Sequence, residues 1–142
     1  FLLDRLTKIM ITNFTQNNDQ FFKEVTSFLN FNLIWNKGIA FGLFSFDEKN
    51  YYNYMSILIV IITIIVFFLM IRSKGKEKIG FSMIVGGSLG NLFDRLVYSS
   101  VPDFIDIHIN NYHWFIFNVA DIFITIGVML LIYSEIYLKE KA

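Results

Sequence analysis

Cysteine is absent from the chain, which excludes disulfides, thiol nucleophiles and thiolate metal sites while leaving the compartment open. Proline occurs once, at Pro102, and charged residues make up only 17% of the 142 positions. Formal net charge is zero, so no overall basic character invites nucleic acid. No internal repeat, low-complexity tract or second domain is visible. Apolar surface is what the chain has in excess: 55% hydrophobic and 18% aromatic residues, with a mean hydropathy of +0.53. An ordinary soluble domain of this size carries far less, so the composition predicts an integral membrane protein.

Asn50 to Ile71, "NYYNYMSILIVIITIIVFFLMI", runs 22 residues without a formal charge, long enough as a helix to cross roughly 30 Å of hydrocarbon. It ends at "RSKGKEK", where Arg72, Lys74, Lys76 and Lys78 outnumber Glu77, and such a basic hairpin belongs on the cytoplasmic side. Ile79 to about Val97 forms the next apolar run. The connection from Tyr98 to His113 carries Asp103 and Asp106 but no Lys or Arg, so it faces the opposite side. A last span is expected over Trp114 to Leu138, with the tail "KEKA" inside. The chain starts at Phe1, and "FLLDRLTKIMI" reads as the later part of a helix whose beginning is missing. Residues 1–12 therefore count as a partial span.

The expected architecture is an all-α membrane protein with a small β element. It forms one integral membrane domain over residues 1–142, with spans near 1–12, 50–71, 79–97 and 114–138, an outer cap at 13–49, and both termini cytoplasmic. In the cap, Phe28 to Ile34 alternates weakly, which suggests strands or an interfacial segment. Tyr51, Tyr52, Tyr54, Tyr112 and Trp114 gather near the predicted outer ends, as interfacial aromatics do.

Ionisable residues inside such spans cost several kcal/mol unless paired or wet, so each is a functional candidate. Asp4 and Lys8 stand at i and i+4 on one helix face, either as a structural ion pair near the membrane surface or as a substrate-positioning pair. Arg5 points elsewhere and is read as snorkelling. In "GGSLGNLFDRL", Asn91, Asp94 and Arg95 share a face, Asp94 and Arg95 neutralising one another or pairing across helices. Gly86 and Gly90 make a GxxxG pattern, read as close helix packing rather than a phosphate site.

Asn118 and Asp121, at i and i+3 near the outer end of the last span, can both aim at the third helix. Asp103 follows Pro102, where regular helix is expected to have ended. A connection folding back over the last span would bring Asp103 and Asp121 together. Two close carboxylates share a proton, so one can deprotonate a water while the other polarises a scissile carbonyl, which is peptide hydrolysis without metal or thiol. Pattern alone leaves the alternative equally open, that two unrelated aspartates cap helices or bind water. His108 and His113 lack a convincing third and fourth ligand, so neither a metal nor a cofactor is expected. Ser88, Ser99 and Ser100 have no evident partner for a serine dyad.

Five blocks, "DRLTK" (Asp4 to Lys8), "NKGIAFG" (Asn36 to Gly42), "GGSLGNLFDR" (Gly86 to Arg95), "VPDFID" (Val101 to Asp106) and "FNVAD" (Phe117 to Asp121), resemble the lipoprotein signal peptidases, or signal peptidase II. They occur in family order over nearly the whole chain. The resemblance implies an aspartic endopeptidase of the bacterial inner membrane that removes the signal peptide from diacylglyceryl-modified prolipoproteins at the periplasmic face. It implies Asp103 and Asp121 as the catalytic dyad, supported by Asp4, Lys8, Asn36, Gly38, Asn91, Asp94, Arg95 and Asn118. It also implies four transmembrane helices with a periplasmic β-cradle and a short interfacial helix, working as a monomer among membrane lipids. Arg5 stands where the family commonly has Gln, and Ser88 where it commonly has Ala. In this reading Asn36 and the "GIAFG" segment hold the extended substrate, and Gly38 and Gly42 let the cap bend. A small ion-coupled transport protein would instead spread its carboxylates through membrane depth. A non-catalytic interaction protein would give no reason for the clustered Asn and Asp.

Overall fold

The structure, a computed structural model, describes residues 1–15, 21–38, 49–110 and 112–138. Its elements are α1 (Leu2–Phe14), β1 (Phe22–Thr26), β2 (Leu29–Asn36), α2 (Lys49–Arg72), α3 (Gly75–Tyr98), β3 (Val101–Ile109), β4 (Tyr112–Phe117) and α4 (Val119–Tyr133), the last continuing as a π-helical turn over Ser134–Leu138. The result is a mostly helical chain with one antiparallel sheet in the order β1-β2-β3-β4.

Among the described residues, two helices are long and apolar enough to cross a membrane, Asn53–Arg72 within α2 and Val119–Ile136 running from α4 into the turn after it. Much of α2 is Ile, Val and Phe, whose stiff or bulky side chains favour strands in water. In lipid that preference loses, because only a helix satisfies every backbone N–H and C=O within the segment. Ile57, Ile61, Ile64, Ile65 and Phe68 remain about half exposed, as an apolar environment around the helix requires.

α3 packs most extensively on α4, and small residues set how closely they meet. A Cβ on Gly87 would stand 2.5 Å from the Ala120 carbonyl oxygen, and one on Gly127 would stand 2.7 Å from the Gly80 oxygen. The seam thus runs through Gly80 and Gly87 on α3 against Ala120 and Gly127 on α4. This corrects half of the GxxxG expectation: Gly86 faces nothing nearer than the Phe1 nitrogen at 3.6 Å, while Gly90 is a close-packing position that leaves room for the Asp4 carboxylate from α1. Gly87→Ala should therefore destabilise the protein by about 1–3 kcal/mol, since the clash is with backbone. Gly86→Ala should leave the melting temperature in detergent unchanged, and equal losses in the two variants would contradict this seam.

The connection expected at Tyr98 to His113 is a β-hairpin rather than a loop. Ser99 ends α3 in the left-handed region (φ 55°), and Pro102 lies inside β3 instead of terminating the helix. Proline is tolerated there because β4 pairs with β3 only from Ile105 onward, so no ladder donor is missed on that side. Trp114 to Phe117 belongs to β4, and the fourth helix starts at Val119, five residues later than expected. The sheet therefore combines two strands from the segment between α1 and α2 with two from the connection between α3 and α4. Gly42 and most of the "GIAFG" segment lie outside the described residues, as do the side chains of Tyr51 and Tyr52, and no short interfacial helix is among the described residues.

Ile11, Leu33 and Phe104 form a small core between α1 and the sheet. The remaining buried residues are largely polar: Asp4, Asp94, Asp106 and Asn118 are each fully buried, and Lys8 is 1% exposed. A protein whose core is this charged holds it for a purpose other than hydrophobic stability.

Candidate active site

The sheet register explains how residues distant in sequence meet. Ile105 pairs with Phe117, so the chain leaves β4 opposite Phe104 and turns at Asn118 directly into α4 beside Asp103. Asn118 is the N-cap: its Oδ1 accepts the Asp121 N–H at 3.1 Å, and the Asp121 carboxylate accepts the Asn118 N–H at 3.1 Å, a reciprocal capping box. The same Asn118 donates from Nδ2 to Asp103 Oδ1. One residue thus spans both carboxylates.

Two further asparagines complete the pattern. Asn36, at the end of β2, donates to Asp103 Oδ2 at 2.8 Å, and Asn91 on α3 donates to Asp121 Oδ1 at 2.8 Å. Each amide has its oxygen held by a group that can only donate: the Gly38 N–H for Asn36 (2.8 Å), the Lys8 ammonium for Asn91 (2.8 Å) and the Asp121 N–H for Asn118. The three NH₂ groups are therefore all turned toward Asp103 or Asp121. Arg95 donates to the Gly38 carbonyl at 2.7 Å, fixing the segment that orients Asn36.

Behind α3 lies an ion cluster. Lys8 Nζ reaches Asp94 Oδ2 at 2.7 Å and Asp4 Oδ1 at 3.0 Å in addition to Asn91. Asp4 Oδ1 also accepts the Ala120 N–H at 3.0 Å, tying α1 to the first turn of α4. Arg5 is the residue that sequence reasoning misplaced. It pairs with Asp94 Oδ1 at 2.5 Å, lies over the Phe93 ring at 4.9 Å, and is only 12% exposed at the side chain. Charge counting could have found it, since two buried aspartates beside one lysine call for a second cation. Asp94 consequently pairs with Arg5 and Lys8 across helices, while Arg95 turns to Gly38. All ten residues singled out from the sequence are buried and joined in this network.

Burial, and then the neighbouring Asp121 charge, push the Asp103 carboxyl up from 3.8 to about 7, against the opposing pull of the Asn36 and Asn118 amides. Because the folded state holds this proton more tightly than the unfolded chain, the associated stability is complete below about pH 4. It is lost progressively up to about pH 7. Melts of the detergent-solubilised protein should fall between about pH 4 and 7, and Asp103→Asn should remove that slope. An identical slope in the variant would assign it to other groups.

A family model described as "Signal peptidase (SPase) II" matches residues 1–137. The lipoprotein signal peptidase of Pelagibacter ubique (strain HTCC1062) is 49% identical over 141 residues, covering 99% of this chain and 85% of that protein. That of Francisella tularensis subsp. novicida (strain U112) is 42% identical over 123 residues, covering 84% and 76%. Among solved structures, a bacterial membrane enzyme determined by the in meso method at 1.9 Å superposes with a TM-score of 0.78 at 32% identity, covering 96% of this chain and 86% of that one. A second such structure, at 2.3 Å, gives 0.76 at 31% identity over 99% and 84%.

Proposed function

This chain belongs to the signal peptidase II family, a bacterial membrane protease family that processes lipoproteins, and we propose that it is an aspartic endopeptidase whose dyad is Asp103 and Asp121. The carrying observation is that four donors, the Asn36, Asn91 and Asn118 amides and the Asn118 N–H, converge on these two carboxylates. A structural pair of helix caps would not need three amides with fixed orientation.

The two carboxylates share one proton, which in this mechanism starts on Asp103. Asp121, in the first turn of α4 where the helix end favours negative charge, takes a proton from water. The water oxygen bonds to the scissile carbonyl carbon while Asp103 gives its proton to the carbonyl oxygen, forming a neutral gem-diol. Proton transfer from Asp121 to the amide nitrogen then breaks the C–N bond, one hydroxyl proton returns to Asp103, and a carboxylic acid and an amine leave. The amine belongs to the lipid-modified cysteine of the prolipoprotein. Gly38 and Arg95 hold the strand end that meets the substrate backbone.

α1 and α3 join the two apolar helices in a four-span arrangement in the inner membrane, acting as a monomer among bilayer lipids. The Arg72 to Lys78 connection supports a cytoplasmic position for that end, and the sheet with Asp103 then faces the periplasm. Exposed Tyr54, Tyr112 and Trp114, each more than 60% accessible, suit the outer interface. The test is cleavage of a diacylglyceryl-modified prolipoprotein by the purified protein, with mass identification of the two products. A folded protein that leaves this substrate intact would favour a transport or interaction role.

A further inference from the structure

Asp106 is fully buried on β3, three residues from Asp103, yet takes no part in the dyad network. Its two oxygens accept from His113 Nδ1 on β4 at 3.0 and 2.9 Å, and the His113 side chain is itself 52% exposed. Burying a carboxylate against a half-exposed partner is a costly way to staple a hairpin. The register shows what it accomplishes. Between the pairs Asp106–Ile116 and His108–His113, β3 has only Ile107, whereas β4 has Trp114 and Phe115. The ladder is interrupted at this bulge, and the Asp106–His113 bond bridges it. The His108 ring stacks on that of His113, centroids 5.2 Å apart.

The residues at the interruption, Ile107 and Trp114, form with Phe117 one wall of a groove of about 340 Å³. Asp121, Ile122 and Ile126 form the other, so the groove reaches Asp121 of the proposed dyad. From Asp121 to Ile126 a helix advances only ~7.5 Å, whereas an acyl chain spanning one leaflet needs roughly 15 Å. The short groove suits a branched aliphatic side chain.

We propose that Asp106 and His113 are positioning residues that hold Ile107 and Trp114 as the wall of a specificity groove for an aliphatic side chain of the substrate's signal segment. This rests on the peptidase reading above. His113 acts through the wall, so its loss weakens substrate binding and leaves the chemical step intact.

At matched folded concentration, His113→Ala is expected to raise KM about tenfold with kcat within about twofold, the scale of one misfitted apolar contact. His113→Gln, which can still donate to Asp106, should recover most of the affinity. Trp114→Ala should raise KM similarly, and His113→Ala should add nothing on top of it, because both remove the same wall. The penalty should vanish with substrates whose apolar residues before the scissile bond are cut to Ala, and persist when only the acyl chains are shortened. An unchanged KM, additive effects of His113 and Trp114, or a penalty that follows acyl length would overturn the proposal. Binding of the same lipopeptide, read from Trp114 fluorescence in a Trp35→Phe background, separates this inference from the peptidase reading. A parent that binds in a His113-dependent way without cleaving sinks the proteolytic reading alone, and one that cleaves with a His113-independent KM sinks this inference alone.

Discussion

Asp103→Asn and Asp121→Asn should each lower kcat for the lipidated prolipoprotein by about 10³-fold or more, because each removes a group that carries a proton in the transition state. Binding should change much less, since neither carboxylate is needed to hold the apolar parts of the substrate. Both variants should fold. Asn at position 103 can still accept from either Asn36 or Asn118, and Asn at 121 can still accept the Asn118 N–H that closes the capping box. Each new NH₂ must nonetheless face another donor, so a loss of about 1–3 kcal/mol in stability is expected. Melting curves at the assay pH establish the folded fraction before rates are compared. Near-parental turnover by either folded variant would remove the dyad from the mechanism and leave the family's proteolysis to another group.

The parts of this architecture that were legible in the sequence share one property: a local pattern with a single physical solution. The uncharged run Asn50 to Ile71 could only be a helix in lipid, and the structure runs α2 over Lys49–Arg72. The weak alternation at Phe28 to Ile34 became most of β2. Where two solutions compete, the reading failed. Trp114 to Phe117 and Val119 to Tyr133 form one almost continuous apolar run, and periodicity does not tell a strand from a helix inside it. The break is marked by Asn118 alone, three residues before Asp121, which is an N-cap signature. Read as a cap, it would have started α4 at Val119 and assigned the preceding residues to a strand. Arg5 was lost for a different reason. Its place follows from pairing with Asp94, 89 positions away, and local spacing says nothing about which cation will be buried. The candidate site itself was legible through its residue types, whereas the fixing of three amides by the Gly38 N–H, the Lys8 ammonium and the Asp121 N–H exists only in three dimensions.

Lys8 is where this architecture and the proposed chemistry are joined, and its replacement should have the largest effect on stability. Lys8→Met removes an ammonium whose three bonds go to Asp4, Asp94 and Asn91. Arg5 alone then faces two buried carboxylates, and breaking a buried pair in this way typically costs about 3–5 kcal/mol. Activity would fall as well, but a partly unfolded enzyme says nothing about mechanism. The informative protein is Lys8→Met with Asp94→Asn. Its cluster is again neutral, Arg5 keeps an amide oxygen to pair with, and most of the lost stability should return. Turnover should remain about 10²-fold below the parent, because the Asn91 oxygen has lost the donor that turns its NH₂ toward Asp121, and a small misorientation of a reacting group carries that scale of penalty. Asn91→Ala should reproduce the same deficit in an otherwise intact cluster. If the double variant recovers both stability and turnover, Lys8 is a structural counter-ion and the path from Lys8 through Asn91 to Asp121 contributes nothing to catalysis. If it recovers stability alone, a residue on the first helix governs the geometry of a carboxylate on the last.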